Sequence, residues 1–251
     1  MSRIRVMTYN VHAGVGLDDK YELERIEEVI RDAGPDVLGL QEVDVHWGPR
    51  SSHENMIGRL AEALGMHAFY APIYELPPVK TAAPPRQFGV ALLSRHPIVQ
   101  ADNMPMTRLS SQDASPTPAP MPGLARVTVG IADTPVTVYV AHLDYQLDPA
   151  VRRTQVAELL NDFESRADSP TLLLGDFNAR PDAPELAPLF AALADTWPVR
   201  GAEPGFTYPS DFPDRKIDYI LASSRFRVLT STTIRSFASD HMPLVAELEL
   251  V

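Results

Sequence analysis

The sequence predicts an α+β fold in which two mostly antiparallel sheets pack together with helices on the outside. Three observations predict it. Strand-like apolar runs alternate with helical stretches, but not in the regular strand–helix–strand rhythm of a doubly wound sheet. Two pairs of runs, 126–131 with 136–141 and 217–221 with 227–234, read as hairpins or antiparallel neighbours. No linker divides the 251 residues, so 1–251 reads as a single domain, a size that sandwiches reach as one unit.

The elements follow in order. Residues 4–10 alternate as a strand does. Residues 21–31 carry Leu23, Ile26, Val29 and Ile30 at helical spacing and stop at Gly34-Pro35; the acidic residues among them form a solvated face. A short buried strand is expected at 37–40, and a second helix at 55–64 ending on Gly65. Strands follow at 90–93, 126–131 and 136–141, rich in Val and Leu. Asp148-Pro149 reads as an N-cap with Pro at the first helical position, and the helix after it gathers Val151, Val156, Leu159, Leu160 and Phe163 on one side. A strand at 171–174, a helix at 184–193 and strands at 217–221, 227–234 and 243–250 complete the chain. Proline is frequent, 24 residues, about twice the usual share of roughly 5%. Two Pro-rich stretches, 77–85 and 104–123, read as surface loops.

Composition narrows the function. Hydrophobic content of 45% and charged content of 22% are those of a globular chain. No apolar run approaches the roughly 20 residues of a membrane span, and the N-terminus shows no signal-peptide pattern, so a cytoplasmic location is expected. The absence of cysteine excludes disulfides, thiolate catalysis and Cys-ligated metal. A net charge of −11 argues against binding nucleic acid mainly through backbone electrostatics.

The chemistry collects at strand ends. Residues 4–9 finish in Asn10-Val11-His12, and 37–40 in Gln41-Glu42-Val43-Asp44. Residues 136–141 finish in His142-Leu143-Asp144, and 171–174 in Gly175-Asp176-Phe177-Asn178. Ser239-Asp240-His241 precedes the last strand, and Asp218 interrupts an apolar one. A single polar ending usually begins a turn. Several endings of this composition, on one rim of a sheet system, can share a cation. Carboxylate and amide oxygens without thiols suit Mg²⁺ or Mn²⁺, and histidines beside such a cation suit acid–base chemistry on a phosphate ester.

The ordered set TYN, LQEVD, AHLDYQ, GDFN, KIDYIL and SDHMPL resembles the endonuclease/exonuclease/phosphatase superfamily, with its deoxyribonuclease-I-like fold, over essentially the whole chain. The resemblance implies a four-layered αββα sandwich, dependence on Mg²⁺ with Mn²⁺ as substitute, and hydrolysis of phosphodiesters or phosphomonoesters. By resemblance Glu42 is a metal ligand, with Asn10 and Asp240 on the metal side. Asp176 positions or deprotonates the attacking water, and Asn178 donates to phosphoryl oxygens. His241 matches the catalytic histidine, and Asp218 the acid that orients it; both Asp176 and His241 stay open as the general base. His142 is expected to stabilise phosphoryl oxygens or protonate the leaving group, and it departs from the branches specialised for abasic DNA. His12 stands where several members carry an acid, so contact with phosphate or leaving group is expected instead.

Arg86, Arg95, Arg126 and Lys216 are candidates for holding substrate phosphate or a polar head group, and Trp47 for stacking on it. Gln41, Asp144 and Tyr9 are expected to support the site structurally. The expected partner is a phosphate-ester substrate, with a small molecule or lipid head group preferred. A nuclease acting on DNA or RNA is the alternative that the acidic charge disfavours, and a metal-free binding module with the same fold is the remote one.

Overall fold

A computed structural model describes residues 2–166, 169–202 and 204–251. Strand β1 (Ser2–Asn10) leads through a short turn to helix α1 (Leu23–Ala33), then β2 (Val37–Val45) and α2 (Met56–Leu64). Five strands follow: β3 (His67–Leu76), β4 (Arg86–Ser94), β5 (Ile98–Arg108), β6 (Ala119–Ile131) and β7 (Thr134–His142). Helix α3 (Ala150–Glu164) crosses to β8 (Thr171–Asp176), and α4 (Ala187–Ala192), β9 (Ala194–Asp195) and α5 (Thr196–Arg200) come next. Strands β10 (Asp218–Ala222), β11 (Phe226–Thr233) and β12 (Leu244–Leu250) close the chain.

The strands form two sheets of six, ordered β11-β12-β1-β2-β4-β3 and β5-β6-β7-β8-β10-β9. Among the described residues each has one parallel pair, β1/β2 in the first and β7/β8 in the second. Side-chain alternation builds the layers. Val138, Val140, Leu172, Leu174 and Ile220 point inward and meet Ile4, Val6, Val90 and Leu92 of the first sheet. Their neighbours Tyr139, Leu173 and Tyr219 point outward against Val156, Leu159 and Leu189 of α3 and α4. On the opposite side Met7, Leu38 and Leu40 pack on Ile26, Ile30, Met56 and Leu60 of α1 and α2. Each fully buried aliphatic side chain contributes roughly 1.5–3 kcal/mol relative to exposure. The central strands read as unbroken apolar runs because both of their faces are covered.

Local signals set the helix ends. Asn55 Oδ1 accepts the Gly58 N–H at 2.9 Å at the start of α2, and Gly65 closes it at φ 62°. Asp148 Oδ1 accepts the Ala150 N–H at 3.0 Å, so it caps α3 from two residues ahead of the first helical residue.

Two expectations are corrected. Strands 217–221 and 227–234 are not neighbours: β10 lies between β8 and β9 in one sheet, while β11 pairs with β12 at the edge of the other. β10 is buried on both faces and takes an interior place, whereas β11 alternates buried and exposed residues as an edge strand does. The stretch 104–123 is not one loop. β5 runs to Arg108 and β6 begins at Ala119, and the ladder between them shifts register around Met104 and Met106. Pro105 and Pro122 fall in that irregularity, where no ladder donor is required of them. Strand β3, which the sequence pattern did not announce, adds the far edge of the first sheet. The stretch 77–85 is a loop, as expected.

Candidate active site

Strand register brings the polar strand ends together. His142 is the parallel partner of Asp176, and Asp218 its antiparallel partner, so the three stand in one row across β7, β8 and β10. In the other sheet Asn10 pairs with Gln41, next to Glu42. Between Leu40 and Val43 the β2/β4 ladder slips, and Glu42 sits in this bulge at φ 58°, a left-handed conformation rare for a residue with a side chain. The bulge turns the Glu42 carboxylate towards Asn10, whose Nδ2 donates to Glu42 Oε1 at 3.0 Å and to Asp176 Oδ2 at 3.1 Å. This amide joins the two sheets at the rim. Gly175 permits the row: a Cβ there would lie 2.2 Å from the Ala141 carbonyl oxygen.

Asp176 is the centre. His241 Nε2 and His142 Nε2 each lie 3.6 Å from its Oδ2. Its Oδ1 accepts the Asn178 N–H at 2.8 Å, in a turn where Asn178 has φ 51°. Behind His241, Nδ1 meets Asp218 Oδ2 at 2.9 Å. The other Asp218 oxygen, Oδ1, is buried without a partner among the described residues. The loop carrying His241 is fastened to β1 by Ser239, whose Oγ donates to the Asn10 carbonyl at 2.7 Å and accepts the His241 N–H at 3.2 Å.

Burial and charge oppose each other here. Burial raises the Asp176 pKa, the Asp218 charge raises it further, and His241 and His142 pull it back only in part. Burial alone would lower the His241 pKa, but the charges of Asp218 and Asp176 outweigh it and push it up to about 10. Glu42 goes the other way: burial is overcome by the charge of His142, the Asn10 hydrogen bond, and the charges of His241 and His12, and its pKa falls.

A test follows for pH. His241 binds its proton more tightly folded than unfolded, so its contribution to stability is complete below its ordinary value of 6.5 and is lost as pH rises through about 10. Without divalent cation, Tm should fall across that window in the wild type, and His241→Gln should flatten the fall. Parallel curves for the two proteins contradict the assignment.

The remaining predicted residues divide. Asp240 is half-buried beside His12, whose Nδ1 lies 3.8 Å from Asp240 Oδ1 and 3.1 Å from the Val15 carbonyl oxygen. Asn178 Nδ2 donates to the Leu143 carbonyl at 3.0 Å, which holds the β8 turn against the end of β7. The structure does not bring the four expected cations to this cluster. Arg126 is clasped by Asp162 and Asp102 at 2.8 and 3.1 Å, on the face covered by α3. Lys216 is buried, 3.1 Å from Asp195 Oδ2 and from the Asp218 carbonyl, with its ammonium 3.3 Å from the Tyr219 ring centroid. Arg95 donates to the Pro35 carbonyl at the opposite end of β2. Arg86 lines a separate cavity with His46, His53 and Lys80.

Other residues approach the cluster without an announcing motif. The Tyr208 ring lies 4.8 Å from that of His241. Trp47, Tyr74 and Phe88 form an aromatic group with centroids 5.7–6.2 Å apart, and Arg50, bidentate to buried Asp44, lies over Trp47 and Phe88. A cavity of about 200 Å³ opens beside Glu42 and His142 and reaches Tyr74, Phe88 and Arg108. For Trp47 and Tyr208 the sequence offers an aromatic but no spacing rule that places it.

The ligand chemistry of the rim suits a hard cation. Glu42 and Asp240 are carboxylates at its edge, and no thiol is present. Asp176, Asp218 and His241 also offer ligand atoms within 4.8 Å of one another. There the His241 Nδ1–Asp218 bond and the raised His241 pKa favour a proton, because a metal-bound imidazole must be neutral.

Comparison with known proteins fits this geometry. No curated protein matches the chain. The solved endonuclease/exonuclease/phosphatase from Beutenbergia cavernae DSM 12333 is 29% identical over 100% of this chain and 72% of that one, with a TM-score of 0.82. The human Nocturnin catalytic domain with bound sulfate is 23% identical over 99% of this chain and 94% of that one, with a TM-score of 0.71. A mannosyl-6-phosphatase of Bacteroides thetaiotaomicron VPI-5482 is 19% identical over 99% of each chain, with a TM-score of 0.69. These likenesses match the two six-stranded sheets with outer helices, the deoxyribonuclease-I-like αββα sandwich. Because the sequence model of the Endonuclease/Exonuclease/phosphatase family matches residues 7–241, a span that contains every strand end of the cluster from Asn10 to His241, the chain belongs to that family, whose members hydrolyse phosphoester bonds.

Proposed function

We propose that this protein hydrolyses a small phosphate ester by in-line attack of water, as one catalytic domain. The observation that carries the reading is Asp176, a buried carboxylate set between two imidazoles at 3.6 Å, one of them backed by a second carboxylate at 2.9 Å. Its raised pKa brings Asp176 nearer to neutrality, which suits a group that accepts a proton from water during attack. His241 holds its proton and donates to a phosphoryl oxygen from Nε2, while Asp218 fixes the ring through Nδ1. His142, 3.6 Å from the same Asp176 oxygen, supplies a proton to the leaving oxygen. Asn178 keeps one amide hydrogen on Leu143 and offers the other to the phosphoryl group. Glu42 and Asp240 would hold Mg²⁺ or Mn²⁺, with Asn10 and His12 beside them. When bound, the cation neutralises charge on the phosphoryl oxygens.

The acidic charge of −11 and the 200 Å³ cavity beside Glu42 and His142 favour a small substrate over a polymer. Among the described residues no helix is long and apolar enough to cross a membrane. The test is a parallel assay of phosphomonoesters, bis(p-nitrophenyl) phosphate, sphingomyelin, plasmid DNA, abasic duplex and RNA, with Mg²⁺, Mn²⁺ or EDTA. Hydrolysis of a small ester that EDTA abolishes is the expected result. Preferential cleavage of nucleic acid would turn the reading to a nuclease. No hydrolysis, with no Mn²⁺ binding by calorimetry, would leave a binding module.

A further inference from the structure

The cavity beside the cluster lies between the edges of the two sheets. Tyr74 and Phe88 wall it from the first sheet; Arg108 and Asp144 reach it from the second. Its volume, about 200 Å³, is below the roughly 300–1,000 Å³ of sites for drug-sized ligands, so it suits a single ring. Glu42 and His142 are among its lining residues, so it adjoins the cluster where the alcohol part of a bound ester would extend from the phosphoryl group.

Arg108 is only 7% exposed. Its Nη1 donates to the His142 carbonyl at 2.8 Å and its Nη2 to the Gly123 carbonyl at 3.0 Å, while Nε has no partner. Its hydrogen-bonding oxygens are thus neutral carbonyls; Nε is sealed from solvent, and the second hydrogens of Nη1 and Nη2 are the donors left over. Burial lowers its pKa to about 10, which leaves it charged at neutral pH. Asp144 is 8% exposed. Its Oδ2 accepts the Gln146 N–H at 3.0 Å, and its own N–H donates to Gln155 Oε1 at 2.9 Å, which fixes the residue in place. Arg108 and Asp144 therefore line one small cavity together with the two aromatic rings.

Hydroxyl groups match this pair, because each can donate to a carboxylate and accept from a guanidinium. A second anion matches it poorly, since Asp144 and Glu42 would repel what Arg108 attracts. An apolar group would leave the carboxylate and the guanidinium desolvated without partners. We propose that Arg108 and Asp144 form the specificity subsite for the alcohol part of the ester, and that the subsite takes a small polyhydroxylated ring. This rests on the phosphoesterase reading above and names the substrate class for the same site.

The experiment compares inositol 1-phosphate with cyclohexyl phosphate, the same ring with and without hydroxyls, and adds an inositol bisphosphate and bis(p-nitrophenyl) phosphate. In the wild type kcat/KM should favour the hydroxylated monophosphate over cyclohexyl phosphate by about 10²-fold or more, as in sites built to pair a substrate hydroxyl. Asp144→Asn keeps shape and the acceptor for the Gln146 N–H, and should bring that ratio towards one, mainly through KM. Arg108→Lys, which retains the charge, should move it the same way. An unchanged ratio in both variants, or equal loss on both esters, assigns Arg108 and Asp144 to structure and overturns the subsite. Preference for the bisphosphate overturns it in favour of an anion site. Turnover of bis(p-nitrophenyl) phosphate without hydroxyl preference leaves the phosphoesterase reading standing while the subsite falls. If no ester is turned over, a rise in Tm with inositol 1-phosphate that Asp144→Asn abolishes would support the subsite, and its absence would sink it.

Discussion

His241→Gln should lower kcat by about 10²–10⁴-fold on whichever ester the wild type hydrolyses fastest, the range for loss of a positioned proton donor or acceptor. The argument is geometric. His241 is 5% exposed, its Nδ1 is fixed by Asp218 at 2.9 Å and its Nε2 faces Asp176 at 3.6 Å. Glutamine cannot carry the imidazolium charge that these two acids hold in place. Asp218→Asn provides the second half of the test. It leaves the ring in its cavity but removes the largest of the charges that raise its pKa, so the variant should lose its alkaline activity at lower pH than the wild type does. A purely structural role for Asp218 would lower activity equally at every pH. Far-UV circular dichroism separates either effect from unfolding. Full activity in His241→Gln would remove the centre of the proposed mechanism.

Much of this arrangement is legible in the chain because strands obey a short period. Once 4–10, 37–40, 136–141 and 171–174 are read as strands, their polar ends must fall on rims, and the register of β1 with β2 and of β7 with β8 puts Asn10 near Glu42 and His142 near Asp176. The helix at 55–64 was equally legible, since Asn55 and Gly65 act through local hydrogen bonds and backbone conformation. Pairing across the molecule was not legible. β10 and β11 are near in sequence, yet 223–225 carries the chain from one sheet to the other, a choice made by burial on both faces of β10. Prolines hid β5 and the first half of β6, because an irregular ladder tolerates them; the second half, 126–131, was read as a strand. Long side chains were the least legible. Arg126 and Lys216 are consumed by Asp162, Asp102 and Asp195, whereas Arg108, in a stretch that read as loop, reaches the cavity beside Glu42. Period and propensity place a Cα; they do not say which acid lies within reach of a guanidinium.

Glu42 is the residue whose loss should separate function from stability most clearly. Its left-handed backbone, φ 58°, costs of order 1–3 kcal/mol in a residue with a side chain, and the bulge maintains it. Its carboxylate stands on an acidic rim with Asp176 and Asp240, held ionised by the charge of His142 and the Asn10 hydrogen bond. The backbone strain opposes the fold, while the paired, ionised carboxylate supports it, so the two offset in part in the absence of a cation. Glu42→Gln should therefore lower Tm without divalent ion only slightly at neutral pH, and Glu42→Gly should recover part of that loss, because glycine adopts φ 58° freely. The gain on adding Mn²⁺ should change far more. At 100 times its Kd, a ligand specific for the folded state stabilises by about 2.7 kcal/mol, so the wild type should show a saturable rise in Tm that both variants lack. Calorimetry should give Mn²⁺ affinity at least roughly 10²-fold weaker in Glu42→Gln, since even outer-shell changes cost 10–100-fold. Hydrolysis should fall by about 10²-fold or more, as when one preorganised electrostatic group is removed. If Glu42→Gln kept the Mn²⁺-dependent rise in Tm, the cation would have to sit among Asp176, Asp218 and His241 instead, and His241 would then have to be neutral when the ion binds.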